Sequence, residues 1–94
     1  MKMVMIVVEE SKKEELEVVL GRAGVVGYTE ISRASGVGAT GPRLGSGAFP
    51  RTSAIVFSVL SAGALAELRD TLRAFCEDCG ERLKIVAWEV EEMT

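Results

Sequence analysis

The chain has 94 residues, 48% of them hydrophobic, and its formal net charge is −3. This length suits one small domain, and an acidic chain without a basic stripe is not expected to take nucleic acid as its main partner. The absence of histidine, together with only two cysteines, removes most metal sites and most acid–base chemistry.

The first predicted element is a strand. Met3 to Val8 is apolar throughout and is followed by Glu9 and Glu10, which is typical of a strand buried on both faces. No small-residue cleavage pattern follows this run. We therefore expect neither a signal peptide nor a membrane insertion, and we expect a cytoplasmic protein.

A helix and a second strand come next. Ser11 and Glu14 have the spacing of a capping box and Gly24 suits a helix C-terminus, so a helix is predicted over about Lys12 to Ala23. Val25 to Ala34 contains strand-favouring residues and predicts the second strand, with Gly27 as a bulge or a point of close approach.

The most unusual segment is Ser35 to Thr52, which we call the glycine-rich loop. It contains five of the ten glycines and both prolines of the chain. Residues 31–66 contain three arginines and no acid, so they carry +3 within a chain of net −3, and the remainder carries −6. A long connection without secondary structure is uncommon in a small domain, and glycine amides beside arginines suit an anion. We predict a loop that binds a ligand or a partner; a hairpin loop without a ligand is the alternative.

Three elements are predicted after the loop. Ser53 to Leu60 predicts a strand, with Ile55, Phe57 and Val59 on one face and Ala54, Val56 and Leu60 on the other. A stripe of apolar residues predicts a helix from about Ala64 to Cys79, followed by Gly80 at its C-terminus. Leu83 to Val90 predicts the last strand.

Three further signals have simple structural interpretations. Cys76 and Cys79 form a lone C-x-x-C on the apolar stripe, which favours core cysteines over a metal site. Trp88 suits an interface better than stacking on a ligand ring. The G-x-G-x-x-G spacing from Gly36 to Gly41 is followed by Pro42 rather than by a helix, so a dinucleotide fold is not expected.

The order of elements predicts an α+β fold of the ferredoxin-like, split βαβ type (βαββαβ) over residues 1–94, a single domain. One antiparallel sheet would carry two helices on one face. The apolar side chains on the other face have no third helix to cover them. We therefore expect this face to be buried against copies of the chain, most simply in a homotrimer.

The segment Gly24-Val25-Val26-Gly27-Tyr28-Thr29, with Gly36-Val37-Gly38 after it, resembles the nitrogen regulatory PII family, in which G-x-x-G-x-T leads through G-x-G into a long T-loop. The resemblance implies a ferredoxin-like trimer that binds adenine nucleotides in clefts between subunits and signals to target proteins through this loop. Thr29, Gly36 and Gly38 would lie on the cleft wall, and Lys84 would replace a phosphate-binding lysine.

The chain departs from the PII pattern at several positions. Ala39, Thr40 and Gly41 stand where the family has a glutamine after G-x-G, and Gly80 to Leu83 replaces the glycine-rich phosphate segment. The loop is short and lacks the tyrosine that is modified in some members of the family. The family's basic C-terminal extension is also missing. Taken with the resemblance, these departures indicate a divergent PII-like protein.

Two functions remain open at this stage. The first is a regulatory protein that senses a small anionic ligand, with an adenine nucleotide as the ligand that the resemblance implies. The second is a non-catalytic assembly module whose loop binds a protein partner. No nucleophile with a neighbouring base is identifiable, so neither catalysis nor a metal is expected. The candidate ligand-binding residues are Thr29, Arg33, Gly36, Gly38, Gly41, Arg43, Arg51 and Lys84.

Overall fold

The computed structural model describes residues 1–38, 41–45, 47, 51–79 and 83–94, with residues 38, 41–43 and 76–79 described through their backbone. The elements in chain order are β1 (Lys2–Glu9), α1 (Lys13–Arg22), β2 (Thr29–Ala34), β3 (Gly36–Gly38), β4 (Gly41–Arg43), β5 (Ser53–Leu60), α2 (Ala62–Cys79) and β6 (Lys84–Glu89). The four long strands form one antiparallel sheet in the order β2-β5-β1-β6. This order confirms the predicted α+β, ferredoxin-like fold.

The two faces of the sheet follow from the alternation of side chains along each strand. In β1, Val4, Ile6 and Val8 are fully buried. In β5 the buried apolar residues are Ala54, Val56 and Leu60, which share one face as predicted. These residues share one core cluster with side chains of both helices, and the cluster comprises Val4, Ile6, Val8, Leu16, Val19, Leu20, Val25, Ala54, Val56, Leu60, Leu68 and Leu72.

The opposite side of the sheet, which we call the open face, is also apolar. Strand pairing places Met5 beside Phe57 and Val86, and Met3 beside Val59 and Trp88. Most of these side chains are half-buried, and 46% of Trp88 is exposed. The open face comprises Met3, Met5, Val7, Thr29, Ile31, Ile55, Phe57, Val59, Lys84, Val86 and Trp88.

The helices pack with their predicted apolar stripes inward. Leu16 and Leu20 of α1 and Leu68 and Leu72 of α2 belong to the core. Gly24 follows α1 with φ +80°, a left-handed conformation that glycine adopts without a steric penalty. The prediction of Gly24 as the residue that ends this helix is confirmed.

The starts of both helices differ from the predictions. Ser11 lies in a short 3₁₀ turn, Glu10–Lys12, and its hydroxyl donates to Glu9 at 3.2 Å, so the predicted capping box is wrong. Lys12 is the N-cap of α1 and provides no side-chain cap. α2 begins at Ala62 rather than Ala64, because Ser61 accepts the Ala64 N–H at 3.2 Å and caps the helix there.

Several boundaries in and around the loop also differ. β2 begins at Thr29, so Gly27 precedes the strand, and the bulge lies between Ile31 and Ala34. The glycine-rich loop is not free of secondary structure, because β3 and β4 pair as a small hairpin. The predictions for Gly80 and for the side chains of Cys76 and Cys79 lie outside the described residues.

Replacement of Leu16 by alanine tests the core. Leu16 is fully buried, so Leu16→Ala should lower the free energy of unfolding by roughly 2–5 kcal/mol. Val18 lies on the same helix and is 56% exposed, so Val18→Ala should change it by under about 0.5 kcal/mol. Urea unfolding measures both, and equal losses would contradict this assignment of the buried face.

Candidate functional site

The root of the glycine-rich loop is tied to the end of β1. The N–H of Glu10 donates to the carbonyl of Thr52 at 2.9 Å, and the Glu10 carboxylate accepts the N–H of Arg33 at 2.6 Å. Arg51 Nε lies 3.8 Å from the carboxylate of Glu9. We call these five residues the loop root, because they join the segments before and after the loop to the same strand end.

Arg33 has the most unusual backbone in the loop root. Its φ is +58°, in the left-handed region, which costs a residue with a Cβ roughly 1–2 kcal/mol. It lies in the bulge of β2, where its N–H turns toward Glu10 instead of toward β5. An exposed arginine held in a conformation that suits glycine is a candidate functional residue.

The loop also closes on itself before it reaches the sheet. The N–H of Gly45 donates to the carbonyl of Arg51 at 3.1 Å. Gly45 has φ +70°, and a Cβ at this position would come within 3.0 Å of the Thr52 side chain. This backbone conformation favours glycine, and a larger residue would also have to displace the Thr52 methyl slightly.

The segment that precedes β2 is anchored from the neighbouring strand. The hydroxyl of Ser58, a buried residue of β5, donates to the carbonyl of Gly27 at 2.6 Å. This bond fixes the chain just before Thr29, whose backbone pairs with Phe57. The G-x-x-G-x-T segment is thus positioned by the left-handed Gly24 at the helix end and by the hydrogen bond from Ser58 at the start of β2.

A second group of charges lies beside the loop root, between α1 and β2. Lys13 Nζ lies 3.3 Å from the Glu10 carboxylate, 3.7 Å from the Glu30 carboxylate and 3.4 Å from the Ser32 hydroxyl. Glu17 also lies against Glu30. We call Glu10, Lys13, Glu17, Glu30 and Ser32 the α1–β2 cluster.

The carboxyls of this cluster differ in their proton affinity. Burial opposes the ionisation of Glu10, but the Arg33 N–H and the Lys13 ammonium outweigh it and lower the pKa of Glu10. Burial raises the pKa of Glu30, and the carboxyl of Glu17 raises it further. Its Oε2 is buried and has no hydrogen-bond partner among the described residues. Hydrogen bonding to Glu10 raises the pKa of Lys13, which keeps this ammonium charged.

The predicted site residues fall into two groups within one chain. Thr29, Arg33 and Gly36 follow the β2 edge of the sheet, whereas Lys84 lies on β6 at the opposite edge. Ile31, Ile55, Val7 and Lys84 occupy one row across the four strands. Three strand spacings amount to about 14 Å, so one chain does not bring Lys84 to the other candidates.

The remaining candidates lie in the loop itself. Gly36 and Gly38 pair with Arg43 and Gly41 in the β3–β4 hairpin, and the side chain of Arg43 lies outside the description. Arg51 is exposed and faces Glu9. The stretch that is positive in the sequence therefore meets carboxylates of β1 and its following turn. The sequence analysis missed Glu9 and Glu10 because they precede the loop by more than twenty residues.

Two further findings concern the described residues. No group of three or more histidine, cysteine, aspartate or glutamate side chains in this part of the chain is arranged to hold a metal ion. Among the helices of the same part, none combines the length and the apolar character needed to cross a bilayer.

Comparison with known proteins gives a family match over almost the whole chain. The model of the family described as "Nitrogen regulatory protein P-II" matches residues 1–93. This match confirms the resemblance carried by the segment from Gly24 to Thr29. No curated protein sequence matches the chain significantly.

Several solved structures share the fold. CPII from Thiomonas intermedia K12, a nitrogen regulatory PII-like protein bound to ADP and bicarbonate, is 25% identical with a TM-score of 0.72, covering 95% of this chain and 86% of that one. The same protein bound to ADP, AMP and bicarbonate gives 24% identity, the same TM-score and the same coverage. A PII-like signalling protein from Thermus thermophilus is 17% identical with a TM-score of 0.70, covering 93% of this chain and 83% of that one.

Replacement of Glu10 by glutamine tests the loop root. The pKa of Glu10 is lower in the folded chain than in the unfolded chain, so the ionised carboxylate stabilises the fold. This stabilisation is fully present above the ordinary glutamate pKa of about 4.3 and is lost as pH falls through the lower pKa of the folded chain. Glu10→Gln should therefore lower the free energy of unfolding by on the order of 1 kcal/mol at about pH 7, a figure reduced for solvent screening.

The difference from the unmodified chain should shrink in acid, and urea unfolding at two pH values measures it. Glu14→Gln is the matched control, because Glu14 is exposed in the first turn of α1. A loss that persists unchanged below the folded pKa, or an equal loss for the control, would show that the Glu10 carboxylate does not hold the loop.

Proposed function

We propose that this chain, which belongs to the nitrogen regulatory protein P-II family, is a non-catalytic regulatory protein. In this proposal it senses a small anionic ligand and signals through its glycine-rich loop. The observation that carries this proposal is the loop root. It places two arginines, Arg33 and Arg51, where both ends of the loop are hydrogen-bonded to β1 and its following turn. A ligand bound there acts directly on the position of the loop.

The ligand class follows from charge and from one relative. CPII, which is 25% identical, has been solved with ADP and bicarbonate, and both are anions. Arginine and backbone N–H groups are the donors that such anions use. We assign the anion to Arg33, Arg43 and Arg51 with the amides of Gly36, Gly38 and Gly41. An adenine nucleotide is the first candidate.

Binding would change the ion pair at the loop root. Arg51 lies 3.8 Å from Glu9, and the Arg51 side chain is 69% exposed, so this contact is weak and an anion can compete for the guanidinium. Once Arg51 turns to the ligand, the segment from Gly45 to Thr52 loses one of its contacts with β1. The bond between Glu10 and Thr52 keeps the base of the loop in place.

The complete site would need more than one subunit. Thr29 and Arg33 lie at one edge of the sheet and Lys84 lies at the other, so a cleft between two chains is the simplest way to join them. The open face supports such an assembly, because it presents Met5, Phe57 and Trp88 without a covering helix among the described elements. We propose a homotrimer in the cytoplasm, with the sheets packed on one another.

The second candidate function is an assembly module whose loop binds a protein partner and no small ligand. The observation that favours it is that two donors of the loop root already have carboxylate partners, because Glu9 lies against the Arg51 guanidinium and Glu10 accepts the main-chain N–H of Arg33. The replacement of the family's phosphate segment by Gly80 to Leu83 also favours it. The two candidates differ in whether any small anion binds.

Calorimetric titration with ADP and with bicarbonate separates the two candidates. The regulatory function predicts saturable binding of at least one of them. Arg33→Gln, Arg43→Gln and Arg51→Gln should each weaken it by roughly tenfold or more where the arginine contacts the anion, since a charge-assisted hydrogen bond contributes about 1.5–3 kcal/mol.

Arg69→Gln and Arg73→Gln are the controls, because both arginines are exposed on α2. The weakening should also diminish as salt is raised, since surface charges are screened over about 8–10 Å. Heat from neither ligand would favour the assembly module. Binding that Arg69→Gln weakens and the loop variants leave unchanged would place the anion elsewhere.

The proposed assembly is tested by a charge on the open face. Phe57 lies at its centre, beside Met5 and Thr29, so Phe57→Glu should shift the protein from oligomer to monomer in light scattering. Val18→Glu is the control, since Val18 lies on the outer side of α1 and is exposed. An unmodified chain that is monomeric at micromolar concentration would contradict the assembly.

A further inference from the structure

Glu17 and Glu30 form a pair of carboxyls between α1 and β2, which we call the carboxyl pair. The side chain of Glu30 is 17% exposed, and its Oε1 lies 3.7 Å from the Lys13 ammonium. The second oxygen, Oε2, is buried without a hydrogen-bond partner among the described residues. A carboxylate oxygen buried in this way is unfavourable, whereas a proton shared with the neighbouring carboxyl of Glu17 would supply the missing hydrogen bond.

We propose that protonation of the carboxyl pair controls how tightly the root of the glycine-rich loop is held: with a shared proton α1 packs against β2, and loss of that proton releases Ser32 and Arg33. This inference goes beyond the proposed ligand sensing. It concerns the ligand-free protein and does not depend on which anion the loop binds.

The chain sequence connects the carboxyl pair directly to the loop root. Ser32 and Arg33 follow Glu30 within three residues. Both are held from the helix side, Ser32 by Lys13 at 3.4 Å and Arg33 by Glu10 at 2.6 Å. Because no further element separates them, a displacement of β2 at Glu30 must be absorbed at these two contacts.

The balance of charge determines the direction of the effect. The groups that face Glu30 are Lys13 and Glu17 from α1 and Glu10 from the preceding turn. On β5 its pairing neighbour is the uncharged Val56. When the carboxyl pair holds one proton, two of the three carboxyls are ionised beside the single ammonium of Lys13. When the pair holds no proton, all three carboxyls are ionised. Full ionisation therefore repels Glu30 from the carboxylate of Glu17 and draws the Lys13 ammonium toward Glu30, away from Glu10 and Ser32.

The pKa of Glu30 agrees with this direction. Burial and the neighbouring Glu17 both raise it above the ordinary glutamate value, so the folded contact favours the protonated form. Linkage then requires that the contact be strongest at low pH and weaken as pH rises through the raised value. The opposite dependence holds for Glu10, whose pKa is lowered, so the two carboxyls are distinguishable by the sign of their effect.

Hydrogen exchange at the Arg33 amide tests the proposal, because the Glu10 carboxylate accepts this N–H. Exchange is followed by NMR in the ligand-free protein from about pH 5 to about pH 8 and is corrected for the intrinsic dependence of exchange on pH. We expect the protection factor to fall with rising pH. The total fall should be about tenfold for each unit by which the pKa of the carboxyl pair in the held state exceeds its pKa in the released state.

The variants separate the carboxyl pair from other charges. Glu30→Gln and Glu17→Gln each leave one neutral partner that can donate to the other, so both should keep Arg33 protected across the whole range. Glu14→Gln removes an exposed charge of the same helix and should retain the unmodified pH dependence. In the unmodified chain, the ¹³C shift of the Glu30 carboxyl should titrate above the ordinary glutamate value.

Three results would overturn the proposal. One is a protection factor of Arg33 that does not change with pH in the unmodified chain. Another is an equal flattening of the profile by Glu14→Gln. The third, which needs no variant to fold, is a Glu30 carboxyl that titrates at the value of an exposed glutamate, about 4.3.

Discussion

The constraint on which the rest of this structure depends is that a four-stranded sheet has two faces and the described helices cover one. Val4, Ile6 and Val8 are fully buried beneath α1 and α2, while the alternate residues of the same strand face away from the helices. The burial of one apolar face stabilises the chain, and the other face is apolar and only half-buried in a single chain. The candidate ligand residues lie in two groups at opposite edges of the sheet. If copies of the chain packed through the open face, an edge of one chain could meet the opposite edge of another and complete the site.

The end of β1 has a second role, because it connects three parts of the molecule. Glu9 contacts Arg51 at the far side of the loop, and Glu10 bonds to Thr52 through its backbone and to Arg33 through its carboxylate. Lys13 extends this connection to Glu30 and Ser32 on β2. Of the contacts described at the loop root, only the one between Arg51 and Glu9 is an ion pair, and its arginine is exposed, so a ligand that competed for this pair would act on the loop without any loss of the core.

The sequence predicted the elements whose signals are local. β5 has the predicted boundaries and Gly24 ends α1, because hydrophobic alternation and helix-terminal glycine act over a few residues. The capping box failed because Ser11 bonds to Glu9 instead of to α1. The left-handed Arg33 and the contacts of Glu10 and Lys13 with β2 were not predictable, since they join residues about twenty positions apart. The pairing of strands in the folded sheet determines which charges meet at the loop root.

The accessibility of Trp88 to a quencher tests the central claim, that copies of the chain bury the open face. Trp88 is the only tryptophan in the sequence, lies on the open face and is 46% exposed in a single chain, so its fluorescence reports on this surface alone. Acrylamide should quench Trp88 poorly in the concentrated protein and more strongly as the protein is diluted and the assembly dissociates. A tryptophan that is quenched as readily as the free amino acid at every protein concentration would contradict the account.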